Sequence, residues 1–448
     1  MMSIKNSMMS KRVSIKSVQL SQSNDKLINR IIDHQVKGVA KELLDWRNDL
    51  SIDAARDKCQ DLTVDRYSIA IMATGGLGDT LAAIREGFQP IIGTEIQPIQ
   101  QKMWEDLVGT KSAGDVRMLD ITKLRKPTVY GAGMPCQSWS TAGYKAGENS
   151  IEGALYIWQA DLILELSPEI FYLEQSPNVR QEPAFAASYM QLKKKLAVQY
   201  TLHEHDIKSW VYGDPQNRIR LYIVGVHNKH GKKAKQWKWP AHKYDAKRYP
   251  IAADIAVPDA EVPKEYWLKG GTEAEGLRLL YDNRSRLKER VKAGHMDVIA
   301  SWGKGMGDRE HPHKWQSWYG LLNTQLASNG GGQRPSLSWK PGMPLKWGRT
   351  LVPKETVAAA SFSDTYEPWI RSFCDDDRFI HRCINNAIPM RTGCALMSQI
   401  HRFLKYLGVQ KDIAVVDEAL VMNAEFNLKR NGQWECRHHP LIRSKLLD

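Results

Sequence analysis

Short apolar runs alternate with amphipathic stretches between residues 67 and 227. Five of the runs have the length and composition of buried strands, and they cover 68–73, 90–94, 128–132, 170–173 and 221–226. Apolar residues at helical spacing predict helices over 80–86, 99–107, 153–166 and 184–196. Strands that alternate with helices form a parallel sheet with crossover helices. The pattern therefore predicts an α/β fold with a Rossmann-like, doubly wound sheet.

The remaining sequence predicts further parts on either side of this sheet. At 448 residues the chain is long for a single compact core, so an inserted or appended domain is expected. Residues 1–66 are predicted as a flexible tail followed by a helical arm over 25–49, and a later helix is predicted over 395–407. No window holds 18 uncharged apolar residues, which argues against a membrane span. Six scattered cysteines fit reduced thiols in an intracellular protein.

The positive charge is concentrated in one stretch. The chain carries a net charge of +13, and residues 228–348 hold 22 Lys and Arg against 12 Asp and Glu, or +10 of that total. The same stretch holds eight of the fifteen tryptophans, and its first basic run includes Lys232, Lys233 and Lys235. Cations and flat rings suit the phosphates and bases of a nucleic acid. A solvated basic face beside a small aromatic core is the alternative.

A glycine-rich turn follows the first predicted strand and precedes a helix. Gly75 and Gly78 would let the backbone approach a nucleoside cofactor, and Glu95 lies twenty residues after Gly75, where it could accept hydrogen bonds from a ribose. Asp115 follows the next helix and offers a contact for an adenine amino group. An ordinary tight turn remains the alternative interpretation of the glycines.

A second group of residues could carry covalent chemistry. Cys136 follows a predicted strand directly, where exposed backbone amides would favour its thiolate; a buried structural cysteine is the alternative. Glu174 ends a strand expected to neighbour that of Cys136. Gln216, Arg218 and Arg220 would share one face of an extended segment and point at a phosphate or a base edge, unless they belong to a salt-bridged edge strand.

These motifs, in this order, resemble those of the cytosine-5 DNA methyltransferase family. The family's Pro-Cys-Gln motif corresponds to Pro135, Cys136 and Gln137, its Glu-Asn-Val element to residues 174–179, and its Gln-x-Arg-x-Arg motif to residues 216–220. Residues 349–364 and 384–389 resemble its ninth and tenth motifs. The family's glycine loop begins with Phe where this chain has Ala73, which predicts weaker stacking on a cofactor adenine.

The resemblance implies a domain order as well as an activity. It implies a catalytic domain over 67–227 that binds S-adenosylmethionine, a smaller inserted target-recognition domain over 228–348, a return to the catalytic domain over 349–408 and an extension over 409–448. The implied reaction methylates carbon 5 of a cytosine flipped out of double-stranded DNA, through a covalent adduct with Cys136. The implied catalytic residues are Cys136, Glu174, Arg218 and Arg220.

The same resemblance implies the binding residues and the partners. The cofactor would be held by Gly75, Gly78, Glu95, Ile96, Asp115, Val116, Pro135 and Asn386. DNA would be held by Gln137, Ser138, Gln216, Lys232, Lys233 and Lys235. The protein is expected to be an intracellular, DNA-associated monomer, in the cytoplasm or nucleoid or in a eukaryotic nucleus, with a cognate restriction endonuclease as a partner. No metal site is expected, because the histidine pairs lack completing ligands.

Two other functions fit the sequence. An RNA cytosine-5 methyltransferase would use the same catalytic residues, and the large insert favours DNA over RNA. A non-catalytic DNA-binding protein on the same fold is suggested by the altered glycine loop.

Overall fold

The computed structural model describes residues 38–49, 51–133, 151–245, 248–267, 298–300, 315–317, 320–324, 337–339, 349–412, 427–428 and 434–435. The chain divides into two compact units. The sheet unit comprises Ile52–Ile207, Ile219–Pro240 and Gly393–Asp448. The second unit comprises Met1–Ser51, Lys208–Arg218 and Ala241–Thr392.

A six-stranded sheet with the order β2-β1-β3-β4-β7-β5 forms the centre of the sheet unit. Its strands are β1 (Tyr67–Met72), β2 (Phe88–Thr94), β3 (Val129–Gly133), β4 (Ile170–Gln175), β5 (Tyr200–Lys208) and β7 (Ile219–His227). Strands β1 to β4 are mutually parallel, and β7 runs antiparallel to β4. All five predicted strands are present to within two residues at each end. The sheet is therefore mixed, and the prediction of a parallel sheet was wrong in this respect. A buried strand is equally apolar whether it runs parallel or antiparallel to its neighbour, so the hydrophobic pattern does not give its direction.

Strand β5 was not predicted. Its sequence, Tyr-Thr-Leu-His-Glu-His-Asp-Ile-Lys, has no apolar run, and most of its residues are only half-buried. It lies at the edge of the sheet beside β7. An edge strand needs less apolar surface than a central one, so the hydrophobic pattern misses it.

Helices cover both faces of the sheet. They are α2 (Ile52–Gln60), α3 (Gly78–Arg85), α4 (Pro98–Val108), α5 (Ile151–Leu166), α6 (Asn178–Gln181), α7 (Pro183–Leu196) and part of α11 (Met390–Leu407). Side chains alternate between the faces of a strand. Ala70 and Met72 join a core with residues of α5 and α7, whereas the Tyr67 ring lies 5.3 Å from that of His401 in α11, on the opposite face. The doubly wound α/β fold is therefore confirmed.

The second unit is mainly helical where it is described. Its helices are α1 (Val39–Asn48), α8 (Pro353–Ala359), α9 (Tyr366–Phe373), α10 (Asp377–Asn386) and the start of α11. Its short strands are β6 (Gln216–Asn217), β8 (Val298–Ala300), β9 (Trp315–Ser317), β10 (Leu322–Asn323), β11 (Leu337–Trp339) and β12 (Arg349–Thr350). An apolar core joins Leu43 of α1 to Ile255, Leu322 and Leu351. Helix α1 is the described part of the predicted helical arm, and it is integral to this unit.

The boundaries of the compact units differ from the predicted domain boundaries. The sheet unit continues to Pro240, because a 3₁₀ helix over Asn228–Gln236 follows β7 and the Trp237 ring packs edge-on against Phe403 at 5.3 Å. Most of the segment predicted as a return to the catalytic domain, up to Thr392, clusters instead with the second unit. Local charge and composition do not reveal such packing, which depends on residues distant in sequence. Two further short strands, β13 (Asn427–Leu428) and β14 (Trp434–Glu435), pair with each other.

None of the helices in the described ranges combines the length and apolar content needed to cross a membrane.

Candidate active site

Four strand ends define one edge of the sheet. Because β1 to β4 are parallel, they all end at this edge, where open α/β sheets bind their ligands. The turn after β1, the residues after β2 and Glu174 at the end of β4 all belong to it. The sequence after β3 leads to Pro135 and Cys136, which lie outside the described residues together with Gln137 and Ser138.

The turn after β1 has an unusual backbone. Ala73, Gly75 and Leu77 have φ angles of 56°, 51° and 60°, in the left-handed region that side chains disfavour. The end of β2 holds this turn, since the backbone N–H groups of Ala73 and Thr74 donate to the hydroxyl and carbonyl oxygens of Thr94, both at 3.0 Å. Strained backbone that persists at a strand end is typical of a ligand-binding turn.

Glu95 joins three backbone segments at this edge. Its Oε2 accepts from the N–H of Gly75 at 2.9 Å, and its Oε1 accepts from the N–H groups of Ile96 and Gln97 at 2.9 and 3.0 Å. Its own N–H donates to the Gly114 carbonyl at 2.8 Å. Burial raises the pKa of Glu95, and the three backbone donors partly offset that rise. Each oxygen of a carboxylate can accept two hydrogen bonds, so Glu95 can still accept one from a ribose hydroxyl.

The other described cofactor candidates of the sheet unit differ in their exposure to solvent. Ile96 is 61% exposed, so its apolar side chain is available for a flat ring to cover. The Asp115 carboxylate accepts hydrogen bonds from the backbone and the guanidinium of Arg117. Val116 is buried in the core, so it offers a ligand only its backbone. Gly78 begins helix α3 and is buried.

Glu174 forms a buried ion pair with Arg220. The Arg220 Nε lies 3.0 Å from Glu174 Oε1, and the side chains are 13% and 8% exposed. A Cβ atom on Gly133, the last residue of β3, would lie 3.9 Å from Glu174 Oε2. The segment leading to Cys136 therefore leaves the sheet beside this carboxylate. The prediction that the strand of Glu174 neighbours that of Cys136 is confirmed.

The other catalytic and cofactor candidates are held in the second unit. The Gln216 amide donates to the Ala359 carbonyl at 3.0 Å, and the Arg218 guanidinium donates to the Asn385 carbonyl at 2.9 Å. Strand β6 ends at Asn217 and β7 begins at Ile219, with Arg218 between them. The backbone N–H of Arg218 donates to the Ser209 hydroxyl at 3.3 Å, and its carbonyl oxygen accepts from the Ser209 N–H at 2.9 Å. Asn386 is exposed at the end of α10.

The three lysines predicted to bind DNA lie at the other edge of the sheet. Strand β7 is antiparallel to β4, so Val226 lies beside Ile170 at the start of β4 and Tyr222 lies beside Glu174. The 3₁₀ helix that carries Lys232, Lys233 and Lys235 begins directly after β7. At about 3.3 Å per residue, the length of β4 separates this helix from the Glu174 edge by about 17 Å. All three lysines are exposed.

Four cysteines lie in the described ranges and form no disulfide: Cys59, Cys374, Cys383 and Cys394. Burial raises the pKa of Cys59 to about 12, which makes it a poor nucleophile. No group of three or more His, Cys, Asp or Glu side chains in these ranges could hold a metal ion.

Asp79 and Tyr172 belong to this edge, and sequence reasoning missed both. Asp79 is the second residue of α3, and the Tyr172 hydroxyl donates to its Oδ2 at 3.2 Å. Tyr172 lies two residues before Glu174 on β4 and faces the same side of the sheet. A tyrosine in an apolar strand looks like ordinary core, and Asp79 looks like an ordinary first-turn helix acid. Neither gave a local signal of function.

Known proteins resemble this chain over most of its length. The profile of the C-5 cytosine-specific DNA methylase family matches residues 71–402. Type II methyltransferase M1.ScrFI of Lactococcus lactis subsp. cremoris is 29% identical over 34% of this chain and 40% of its own length. Type II methyltransferase M.PspPI of a Psychrobacter strain is 23% identical over 90% of this chain and 95% of its own length.

Type II methyltransferase M.HhaI of Haemophilus parahaemolyticus is 23% identical over 65% of this chain and 83% of its own length. The alignment with this chain thus covers about two fifths of the length of M1.ScrFI and nearly the whole length of M.PspPI. The family match itself includes the glycine turn, Glu95, Glu174 and the Gln-x-Arg-x-Arg segment. This chain belongs to the C-5 cytosine-specific DNA methylase family.

Proposed function

We propose that this protein is a DNA cytosine-5 methyltransferase that transfers a methyl group from S-adenosylmethionine to a flipped-out cytosine in double-stranded DNA. The observation that carries the proposal is the buried Glu174–Arg220 pair at the end of β4, beside the end of the strand that leads to Cys136. An acid of this kind next to a thiol suits cytosine, whose carbon 5 becomes nucleophilic only after a thiolate adds to carbon 6. The family membership supports the same reaction.

The residues divide the chemistry between them. The Cys136 thiolate adds to carbon 6 of the cytosine ring, and Glu174 binds the exocyclic amine and hands a proton to ring nitrogen 3, so that the charge developing there is neutralised. Arg220 holds the Glu174 carboxyl in register through their ion pair. Arg218 would bind the base carbonyl or a neighbouring phosphate. Once carbon 5 carries the methyl group, water acting as a base takes the proton from carbon 5. The electrons of that C–H bond re-form the 5,6 double bond as the Cys136 thiolate leaves, and the proton on nitrogen 3 returns to Glu174.

The residues around Glu95 fit S-adenosylmethionine. The left-handed turn exposes backbone to a ligand, Glu95 supplies acceptor oxygens for ribose hydroxyls, and Ile96 offers an exposed apolar surface to adenine. We assign the cofactor to Gly75, Gly78, Glu95, Ile96, Asp115, Val116, Pro135 and Asn386. When bound, it supplies an electrophilic methyl group.

The DNA contacts are proposed at two places. Gln137 and Ser138 follow the nucleophile in sequence and would contact the displaced base or its neighbours, and Gln216 would contact DNA as well. Lys232, Lys233 and Lys235 would contact phosphates away from the reacting base, because they lie at the other edge of the sheet. The target-recognition domain is proposed over residues 228–348.

Covalent trapping tests the proposal. The protein is incubated with S-adenosylmethionine and duplex DNA of varied sequence in which cytosines are replaced by 5-fluorocytosine. The fluorine cannot be eliminated as the proton is, so the Cys136 adduct should survive denaturation. Cys136→Ser should lose the adduct and the methylation of ordinary DNA while retaining DNA binding. Cys374→Ser is the matched control, because Cys374 is a partly exposed free thiol in the second unit and should leave both unchanged.

Other outcomes would assign a different function. Methylation of a folded RNA, with no methylation of duplex DNA, would identify an RNA methyltransferase. DNA binding without heat on titration of S-adenosylmethionine would identify a non-catalytic DNA-binding protein. The Type II names of the relatives support a cognate restriction endonuclease as a partner. We also propose that the protein acts as a monomer and associates with DNA inside the cell.

A further inference from the structure

Cations from two separate elements meet at the edge of the sheet away from Glu174. The Lys233 Nζ of the 3₁₀ helix lies 5.5 Å from the centroid of the Tyr406 ring of α11 and donates to the Tyr406 carbonyl oxygen at 3.4 Å. Arg402 lies four residues before Tyr406 and Lys405 lies directly before it, so all three exposed side chains share one face of α11. We call five exposed cations of the two elements the basic face: Lys232, Lys233, Lys235, Arg402 and Lys405.

Buried packing holds the two elements together beneath the basic face. Trp237 follows the 3₁₀ helix directly, and its buried ring packs edge-on against Phe403 of α11 at a centroid distance of 5.3 Å. The Phe403 ring lies 5.5 Å from that of Tyr406. Ala234, between the exposed lysines, is fully buried, and its carbonyl oxygen lies 2.9 Å from Nε2 of His203 in β5. The backbone that carries the cations is therefore fixed before a ligand binds, which lowers the ordering cost of binding.

The cations of the basic face form no ion pair with an acid in the part of the chain that the structure describes. Lys229, at the start of the same 3₁₀ helix, differs from them because it pairs with Glu169 at 2.6 Å. Like charges held close together repel one another, so such a cluster gains most from a ligand with many negative charges. Duplex DNA is a ligand of this kind, since it carries one phosphate charge per about 1.7 Å of helix axis.

The basic face and the Glu174 edge lie at opposite ends of the strands. The 3₁₀ helix begins beside the start of β4, and α11 packs its His401 ring against Tyr67 at the start of β1. A duplex bound at the Glu174 edge would have to reverse its direction to reach the basic face. Elastic energy grows with the square of the bend angle, so a turn of about 180° would cost about four times as much as one of about 90°. Non-specific phosphate contacts bind only with Kd values of about 10⁻⁴ to 10⁻⁶ M, which is too weak to hold such a reversal.

We propose that the basic face binds the phosphates of a second segment of duplex DNA while the target duplex occupies the Glu174 edge. This inference rests on the proposed function for the location of the target duplex. The ligand is double-stranded, because single strands are held by rings on which successive bases stack. Tyr406 is the exposed ring beside these cations, and Lys233 already lies over it. A second bound segment keeps the enzyme on DNA while the Glu174 edge exchanges one site for the next.

The experiment counts the duplexes that one full-length chain binds. A short fluorescent duplex is titrated into the protein, and sedimentation velocity resolves the one-to-one complex from the complex of one chain with two duplexes. The test variant combines Arg402→Gln with Lys405→Gln, which removes two cations of α11 and leaves the three lysines of the 3₁₀ helix in place. The control is Lys194→Glu, which changes the net charge by the same amount at an exposed position of α7, on the other face of the sheet.

The wild type and Lys194→Glu should bind two duplexes per chain at low salt. The double variant should still form the one-to-one complex but bind the second duplex more weakly. Its slope of log affinity against log salt for the second duplex should be smaller by about 2, because each lost phosphate contact removes about 0.9.

Three results would contradict the proposal. The wild type binds a single duplex under all salt conditions, or the double variant binds the second duplex as the wild type does. In the third, single-stranded DNA or RNA of the same length displaces the second duplex more effectively than unlabelled duplex does, which would make a single strand the ligand. The count of duplexes does not involve methyl transfer, so a failure here is distinct from a failure of the Cys136 adduct to form.

Discussion

The buried Asp79 makes a prediction about stability that needs no assumption about the reaction. Its pKa rises from 3.8 to about 7 on folding, a change of about 3 units. Each unit is worth about 1.36 kcal/mol, so the full difference is about 4 kcal/mol. Between these pH values the folded protein holds a proton that the unfolded chain has lost. The contribution of Asp79 to stability therefore declines as pH rises through this window.

Asp79→Asn removes this titration. The asparagine does not ionise, so the free energy of unfolding of the variant minus that of the wild type should increase from pH 4 to pH 7.5, by about 4 kcal/mol in total. The size of the free-energy difference at pH 4 depends on whether the new amide N–H groups find hydrogen-bond acceptors. The change of that difference with pH does not depend on this. Urea denaturation at several pH values, followed by tryptophan fluorescence, measures both variants under the same conditions.

A control variant separates this effect from a general response to pH. Gln60 is exposed on α2 and has no titratable group. Gln60→Asn should therefore give a difference in unfolding free energy that is flat with pH. An equally flat difference for Asp79→Asn would refute the reasoning, because it would mean that the Asp79 carboxyl ionises as easily in the folded protein as in the unfolded chain.

Three further predictions concern packing, a buried ion pair and DNA binding. Gly131→Ala should lower the free energy of unfolding by about 1–3 kcal/mol in urea denaturation, because the new Cβ atom would clash with Tyr172. Gly133→Ala is the control and should lower it less, because the nearest atom to its new Cβ would be 3.9 Å away, an ordinary van der Waals contact. Glu355→Ala should cost about 3–5 kcal/mol by the same measurement, because it leaves Arg349 charged and buried without its partner; equal stability would contradict this. Neutralising three exposed lysines should lower the slope of log affinity against log salt by up to about 3 in DNA titrations, and an unchanged slope would move the phosphate contacts elsewhere. These lysines are Lys232, Lys233 and Lys235.

Local patterns were sufficient for five of the six strands of the sheet and for the glycine turn and the acids Glu95 and Glu174 at its edge. Strands β1 and β4 are buried along their whole length and mostly apolar, and such an apolar run is visible without any tertiary information. The glycine turn and the acid that follows β2 also lie close together in sequence. Their meeting at one edge follows from parallel strands, and the hydrogen bond from Gly75 to Glu95 agrees with it.

The amino-acid sequence by itself determined the α/β class, the central strands and the residues with the chemistry of a cytosine methylase. Only the tertiary structure decided the reversed direction of β7, and with it the placement of the lysine-bearing 3₁₀ helix at the edge away from Glu174. It also decided that Asp79 is a buried acid beside Tyr172, because burial and charge coupling arise between residues 93 positions apart in the chain. The spacing of apolar residues predicts which side chains face a core. Which residues they contact in that core depends on how the whole chain packs.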